Sequence, residues 1–321
     1  MRSSPSWGTI SRSTTSCRAR WIRGSVRRSP RPWPQLPGSE IGSAIRYLAV
    51  ALIALLVAGC GGQAPPPPSV AVGAGADAES ALLAHLYVAA LGYYGSTAHV
   101  KAVPDPLGAL DSGDVDVVPA FTGQALRRFA PDAPARSAAQ VYRAMVGSLP
   151  EGLGAGDYTE SASDKPAVAV TGRTAADWGA TDVLALVGRC AELKPGAVRG
   201  TDVPAALGAC TLPAPREFAD AAALQAALRG GRINLAWTTA AAPDQPADLS
   251  VLSDRTALIR AENIVPVFRR NGLTQTQQRS VNELAGVLDT DALAQMRAEV
   301  AAGGEPGAVA GAWLGTHPLG H

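Results

Sequence analysis

Leu110-Asp111-Ser112-Gly113-Asp114-Val115-Asp116-Val117-Val118-Pro119-Ala120-Phe121-Thr122-Gly123 is the stretch from which the fold can be read. It reads as a helix end, a glycine turn, a buried strand and then a loop. Val115, Val117 and Val118 are β-branched and lie between Gly113 and Pro119, which predicts a short core strand ending at the proline. In an open α/β sheet the loop after such a strand is where a ligand sits. A near copy follows at Leu228-Arg229-Gly230-Gly231-Arg232-Ile233-Asn234-Leu235, then Ala236-Trp237-Thr238. Both copies share Leu-x-x-Gly-x-(Val/Ile)-(Asp/Asn)-(Val/Leu) and run into an aromatic residue and a Thr. Two similar lobes facing each other across a cleft are expected.

Around this core the elements alternate as βαβα, the rhythm of a parallel sheet, so the fold class is α/β. Strands are predicted at 70–72, 99–103, 167–170, 249–254 and 263–268. Helices are predicted from Asp77 to about Tyr94 and over 105–110, 136–149, 174–187, 219–228, 274–288, 290–301 and 306–314. Residues 189–215, rich in Pro, Gly and Cys, read as a surface excursion. The chain leaves the first lobe near Val170 and returns near Ile264, which assigns 70–170 and 264–316 to lobe one and 171–263 to lobe two, with two hinge crossings.

The 321 residues suffice for one large core or two modest ones. The net charge of +1 hides an asymmetry. Residues 1–59 hold nine Arg and one acid, leaving 19 basic and 26 acidic groups in the rest, about −7. That balance argues against nucleic acid as a partner. Residues 1–45, rich in Arg, Ser and Pro without apolar periodicity, read as disordered or as lying upstream of the true start.

Next comes a signal-peptide pattern over 46–59: Arg46, an apolar run from Tyr47 to Leu56, and Val57-Ala58-Gly59-Cys60. The run falls short of the roughly 20 residues a bilayer span needs. Val57-Ala58-Gly59-Cys60 resembles a bacterial lipobox, implying cleavage before Cys60 and a lipid on its sulfur, so the membrane is reached through an anchor. Residues 60–69, with four consecutive prolines, form an extended tether. Cys190 and Cys210 then remain, either as a disulfide or as two buried thiols, and the oxidising compartment favours the disulfide.

Four His residues, no Gly-x-Ser-x-Gly elbow, no phosphate loop and no metal-spaced His/Cys cluster argue against an enzyme and against a metal or other cofactor. Asp114 and Asp116 share one strand face but read as solvated or structural acids. Gly73-Ala74-Gly75 before a helix reads as a structural turn.

Three sets of residues carry a family resemblance. They are Val72-Gly73-Ala74 with Glu79; Ser112-Gly113-Asp114-Val115-Asp116 with Pro119, Thr122 and Gly123; and Leu252-Ser253-Asp254 with Asn263-Ile264-Val265-Pro266-Val267. In order and spacing, from about Val70 to Leu314, the chain resembles the substrate-binding lipoproteins of ABC importers for glycine betaine, choline and related osmoprotectants. The resemblance implies a two-lobed type II periplasmic-binding-protein fold, and a monomer that delivers a small solute to a membrane permease from the outer face of the cytoplasmic membrane. It also implies an aromatic cage, because a quaternary ammonium donates no hydrogen bonds and is drawn to ring faces.

The carry-over places Phe121 at a cage position where the family has Tyr, with Thr122 and Gln124 beside it. Trp237 supplies a ring from lobe two, with Thr238 beside it, and Arg199 is the candidate carboxylate clamp. Ala120 stands where a Glu is usual, Gly75 where a basic residue is common, and Pro166 and Glu262 where further cage tyrosines are expected. Glu79 and Glu262 suggest a cationic solute. The competing expectation is an envelope lipoprotein that keeps the fold as a non-transport scaffold.

Overall fold

The computed structural model describes residues 69–320 except 244, so the expected signal peptide, Cys60 and nearly all of the tether lie outside the described residues. The first half alternates as read. Strand β1 (Val70–Ala74) leads into helix α1 (Ala78–Tyr93), then β2 (Ala98–Ala102), α2 (Pro106–Ser112) and β3 (Val117–Phe121). There follow α3 (Thr122–Phe129), α4 (Ala138–Ser148) and β4 (Leu153–Ala155). The second lobe contains β5 (Pro166–Thr171), α5 (Gly172–Trp178), α6 (Leu184–Val187), β6 (Pro195–Val198) and a small hairpin of β7 (Ala206–Leu207) and β8 (Cys210–Thr211). It continues through β9 (Arg216–Phe218), α7 (Ala221–Arg229), β10 (Leu235–Thr239) and β11 (Leu249–Leu252). Strand β12 (Ile264–Arg269) and helices α8 (Gln275–Val287), α9 (Thr290–Ala301) and α10 (Pro306–Thr316) close the chain.

Two five-stranded sheets result, ordered β2-β1-β3-β12-β4 and β11-β5-β10-β6-β9. In the first, β1 is parallel to β2 and β3 while β12 runs antiparallel to β3 and β4. Helices cover both faces of that sheet, and its strands are apolar at consecutive positions for this reason. Val117, Ile264 and Phe268 pack toward α1, α8, α9 and α10, whereas Val118, Val265 and Val267 pack toward α2, α3 and α4. Each buried aliphatic side chain contributes on the order of 1.5–3 kcal/mol.

The repeat read in the sequence is structural. Helix α2 ends at Gly113 (φ 86°) and α7 is followed by Gly231 (φ 68°), a backbone region that glycine enters freely. Beyond the turn, Val115 and Ile233 are buried. Asp116 accepts a hydrogen bond from the Ala71 N–H through Oδ2 (2.9 Å), and Asn234 accepts one from the Lys194 N–H through Oδ1 (2.6 Å). Their own N–H groups donate to the carbonyls of the same two residues. Each lobe thus ties its motif strand to its parallel neighbour by the same pair of bonds. Arg269 completes the surroundings of Asp116 with an ion pair of 3.1 Å, so this acid is structural.

Several expectations are corrected. Strand β3 runs two residues past Pro119 rather than ending there. Pro119 stands opposite Pro266 in the antiparallel register with β12, between hydrogen-bonded pairs, so neither proline is asked for an N–H across that edge. The expected loop after β3 is helix α3. The helix expected over 174–187 is two short helices, α5 and α6. Within 189–215 the chain lays down β6, a central strand of the second sheet. Strand β5 pairs with β10 and β11, so the first crossing lies within 156–165, before Pro166, and not after Val170. Strand β12, from Ile264, is again part of the first sheet.

Candidate functional site

At the carboxyl ends of β1 and β3, in the position where open α/β sheets bind ligands, lies a cavity of about 520 Å³. Phe121, Glu79, Gln124, Asp77, Asp105 and Arg128 are among its lining residues. The loops that form it are set by three helix starts. Asp77 caps α1, its Oδ1 accepting from the Ser80 N–H (2.7 Å), and Asp105 caps α2 by accepting from the Gly108 N–H (3.1 Å). Helix α3 has Phe121 at its N-cap, which offers no side-chain acceptor. Glu262, from the return crossing, replaces it: Oε2 accepts from the Gln124 N–H (2.8 Å) while Oε1 accepts from Arg127 (2.9 Å).

Each sequence-derived candidate can now be placed. Phe121, Glu79 and Gln124 line the cavity. Thr122 does not: it is fully buried, its hydroxyl accepting from the Asn263 N–H (3.1 Å) and its own N–H donating to the Asn263 carbonyl. Glu262 is 3% exposed and engaged with α3 and Arg127, so it is turned away from the role of a cation ligand. Burial pushes its pKa up, while Arg127 and the α3 N–H groups pull the other way.

Trp237 is 2% exposed and sits within β10, in the core of the second lobe. Trp237 and Thr238 border a smaller cavity of about 180 Å³ at the ends of β6 and β10, together with Thr201 and Gln245. Arg199 lines neither cavity; it is three-quarters exposed and pairs with Glu217 at 3.5 Å. The repeat explains the mismatch in rings: counting from Gly113 and Gly231, Trp237 occupies the position of Pro119, and Thr239 that of Phe121. Cys190 and Cys210 are joined as a disulfide, with Cα atoms 5.6 Å apart.

Asp105, Arg128 and Ser80 were missed as lining residues. A helix-capping Asp was the available signal. Also missed was a charge cluster behind the cavity, where Arg297 on α9 lies 3.2 Å from Glu79 and 2.9 Å from Asp164 of the first crossing. No sequence spacing links residues so far apart. Asp164 in turn accepts from the Ala241 N–H (2.9 Å), in the second lobe. Glu79 is raised to about 8, first by burial and then by the charge of Asp164, against the pull of Arg297. Among the described residues no group of three or more His, Cys, Asp or Glu is arranged to hold a metal ion, and no helix is long and apolar enough to cross a membrane.

Residues 68–316 match the family described as the substrate binding domain of ABC-type glycine betaine transport system. Among solved structures, a glycine betaine/carnitine/choline ABC transporter is similar at 18% identity and a TM-score of 0.65, over 78% of this chain and 98% of that one. Apo YehZ from Escherichia coli is similar at 23% identity and a TM-score of 0.59, over 77% and 98%. An ABC-transporter choline binding protein in complex with choline is similar at 15% identity and a TM-score of 0.50, over 77% and 87%. No curated protein matches the chain in sequence. Identities this low speak to the fold alone. With its repeat, its two crossings and the match over 68–316, the chain belongs to the family of substrate-binding domains of ABC-type glycine betaine transport systems and has the two-lobed type II periplasmic-binding-protein fold.

Proposed function

We propose that this protein is an extracytoplasmic solute-binding lipoprotein of an ABC importer. As a monomer, it takes a small cationic solute between its two lobes and hands it to a membrane permease. The observation that carries this reading is the cavity of about 520 Å³ at the carboxyl ends of β1 and β3, with Phe121 on its wall and Glu79 beside it. The smaller cavity beside Trp237 and Thr238 stands at the equivalent place in the second lobe and supplies the opposing wall. Lobe closure on the solute then presents a surface to the permease.

Anchoring rests on Val57-Ala58-Gly59-Cys60 and on the prolines that follow. A Cys60→Ser variant should lose incorporation of a tagged fatty acid and leave the membrane fraction. Retention of the label in that variant would end the lipoprotein assignment.

Calorimetric titration of the full chain with choline, glycine betaine, carnitine and simple amines tests the binding reading. Heat with at least one of them, and a change in Trp fluorescence, is the expected result. A second reading, a scaffold that retains the fold without transport, is favoured by one observation: Phe121 is the sole aromatic residue among the described residues lining the larger cavity. Silence across the whole titration panel would select it.

A further inference from the structure

We propose that the lobe-one cavity selects a cation that donates hydrogen bonds, a primary ammonium or guanidinium group, over a quaternary ammonium, and that Glu79 is the carboxylate that sets this specificity. This rests on the binding-protein reading above and narrows it. Four features of the cavity support it.

The first concerns helix N-termini, which in open α/β sheets commonly receive anions. Here the starts of α1, α2 and α3 are already occupied by the protein's own carboxylates, Asp77, Asp105 and Glu262. The N–H groups of Ser80, Gly108 and Gln124 are therefore not open to an anionic ligand, which would also face the charge of the capping carboxylates. The second is the scarcity of rings. A quaternary ammonium is held by several aromatic faces, and Phe121 is the sole ring among the described lining residues.

The third is the basic side chain available to a ligand carboxylate. Among the described lining residues it is Arg128, and its guanidinium is paired with Asp105 at 2.7 Å. A zwitterion would therefore leave its carboxylate poorly matched, which removes the advantage of glycine betaine over a simple amine. The fourth is the charge behind the cavity. One guanidinium, Arg297, serves two carboxylates, Glu79 at 3.2 Å and Asp164 at 2.9 Å. Oε1 of Glu79 is buried and its contact with Arg297 lacks hydrogen-bond geometry. One guanidinium therefore cannot balance both carboxylates when both are ionised, so Glu79 keeps its proton, and a donor cation in the cavity that Glu79 lines would take the place of that proton.

This arrangement has a proton signature. Glu79 is flanked by Asp77 on its own helix, Asp164 from the crossing and Arg297 from α9, and burial, with the charge of Asp164, pushes its carboxyl up to about 8. At pH 7 the empty protein holds a proton there, and an arriving cation favours the ionised form. Binding therefore releases up to one proton, and affinity rises as the pH climbs from 6 toward 8, by up to about tenfold per unit.

Calorimetry on the full chain with ethanolamine, putrescine and agmatine against choline and glycine betaine tests the proposal; ethanolamine and choline differ only by three N-methyl groups. At least one amine should bind at least tenfold more tightly than choline. Its heat at pH 7 should vary with the ionisation enthalpy of the buffer, reporting proton release. Glu79→Gln, checked for folding by circular dichroism, should weaken that amine at least tenfold and abolish the proton release. Tighter binding of choline or betaine than of every amine would overturn the proposal and leave the binding-protein reading intact. Silence of all five compounds would remove this proposal, and silence of carnitine as well would remove the binding-protein reading. If folded Glu79→Gln bound the amine unchanged, Glu79 would lose its role. Should that variant fail to fold, an amine bound by the unaltered chain without proton release would overturn the proposal just as well.

Discussion

Gly123 was read as part of a ligand loop, and its neighbours show that it serves the backbone. A Cβ there would come within 2.5 Å of both the Ala261 carbonyl oxygen and Oε1 of Glu262. The missing side chain is what allows a buried carboxylate to reach the first turn of α3. Gly123→Ala should therefore destabilise the fold by about 1–3 kcal/mol through overpacking, and lower the melting temperature by roughly 2–4 °C per kcal/mol. A thermal melt unchanged within error would show that the crossing yields without strain. The Thr-Gly pair was legible in the sequence as special, but its partner was not, because Glu262 lies 138 residues beyond Gln124, from whose N–H it accepts a hydrogen bond. Trp237 misleads for a related reason: the sequence repeat shows an aromatic followed by Thr, yet the strand register buries that ring.

At the level of elements, legibility followed how local the determinants are. Helix α1 was readable from Asp77 and from the stripe Leu82, Leu83, Leu86, Tyr87, Ala90 and Leu91, all of which are buried. Helix α3 was not, since its cap lies on the far crossing. Strand β6, Pro195-Gly196-Ala197-Val198, has a single β-branched residue and is a strand because β10 and β9 flank it on both sides. The segment around it is stapled by Cys190 and Cys210, 20 residues apart, which in the chain-entropy model contributes about 3 kcal/mol. Reduction, or replacement of both cysteines by Ser, should lower the melting temperature and leave ligand affinity nearly unchanged, because neither cysteine lines a cavity. A melt insensitive to reductant would mean that the excursion is held by packing alone.

For the whole molecule, the two crossings are laced together. Asn263 donates to the carbonyls of Thr159 (2.9 Å) and Ala162 (3.1 Å), and the Asp164 N–H donates to the Glu262 carbonyl (2.9 Å). Arg127 joins the lobes, pairing with Glu262 at 2.9 Å and with Asp202 of the second lobe at 3.1 Å. Asp202 is 75% exposed, so this bridge is worth no more than about 1 kcal/mol. Ligand at a hundred times its Kd supplies about 2.7 kcal/mol, which is the larger effect. Closure should therefore be governed by ligand. Small-angle scattering should show the radius of gyration falling as a binding cation saturates the full chain, in Asp202→Asn as well as in the unaltered protein. A radius that does not change at saturation would argue against a closing mechanism.

The sequence by itself determined the α/β class and the duplicated turn-strand motif, while the family came from the resemblance of its motifs and the first crossing was set only by the pairing of β5. The class and the motif rest on local rules: apolar runs for doubly covered strands, Asp before a helix, Gly at a left-handed turn. Only the tertiary structure decided which candidates meet a cavity. It kept Phe121, Glu79 and Gln124 on the larger wall, placed Trp237 and Thr238 beside the smaller one, and sent Thr122 and Glu262 into the scaffold and Arg199 to the surface. The physical reason is that a side chain's environment depends on register and on partners distant in sequence. Arg297 and Asp164 reach Glu79, and Glu262 reaches α3, from segments that no spacing along the chain connects to them.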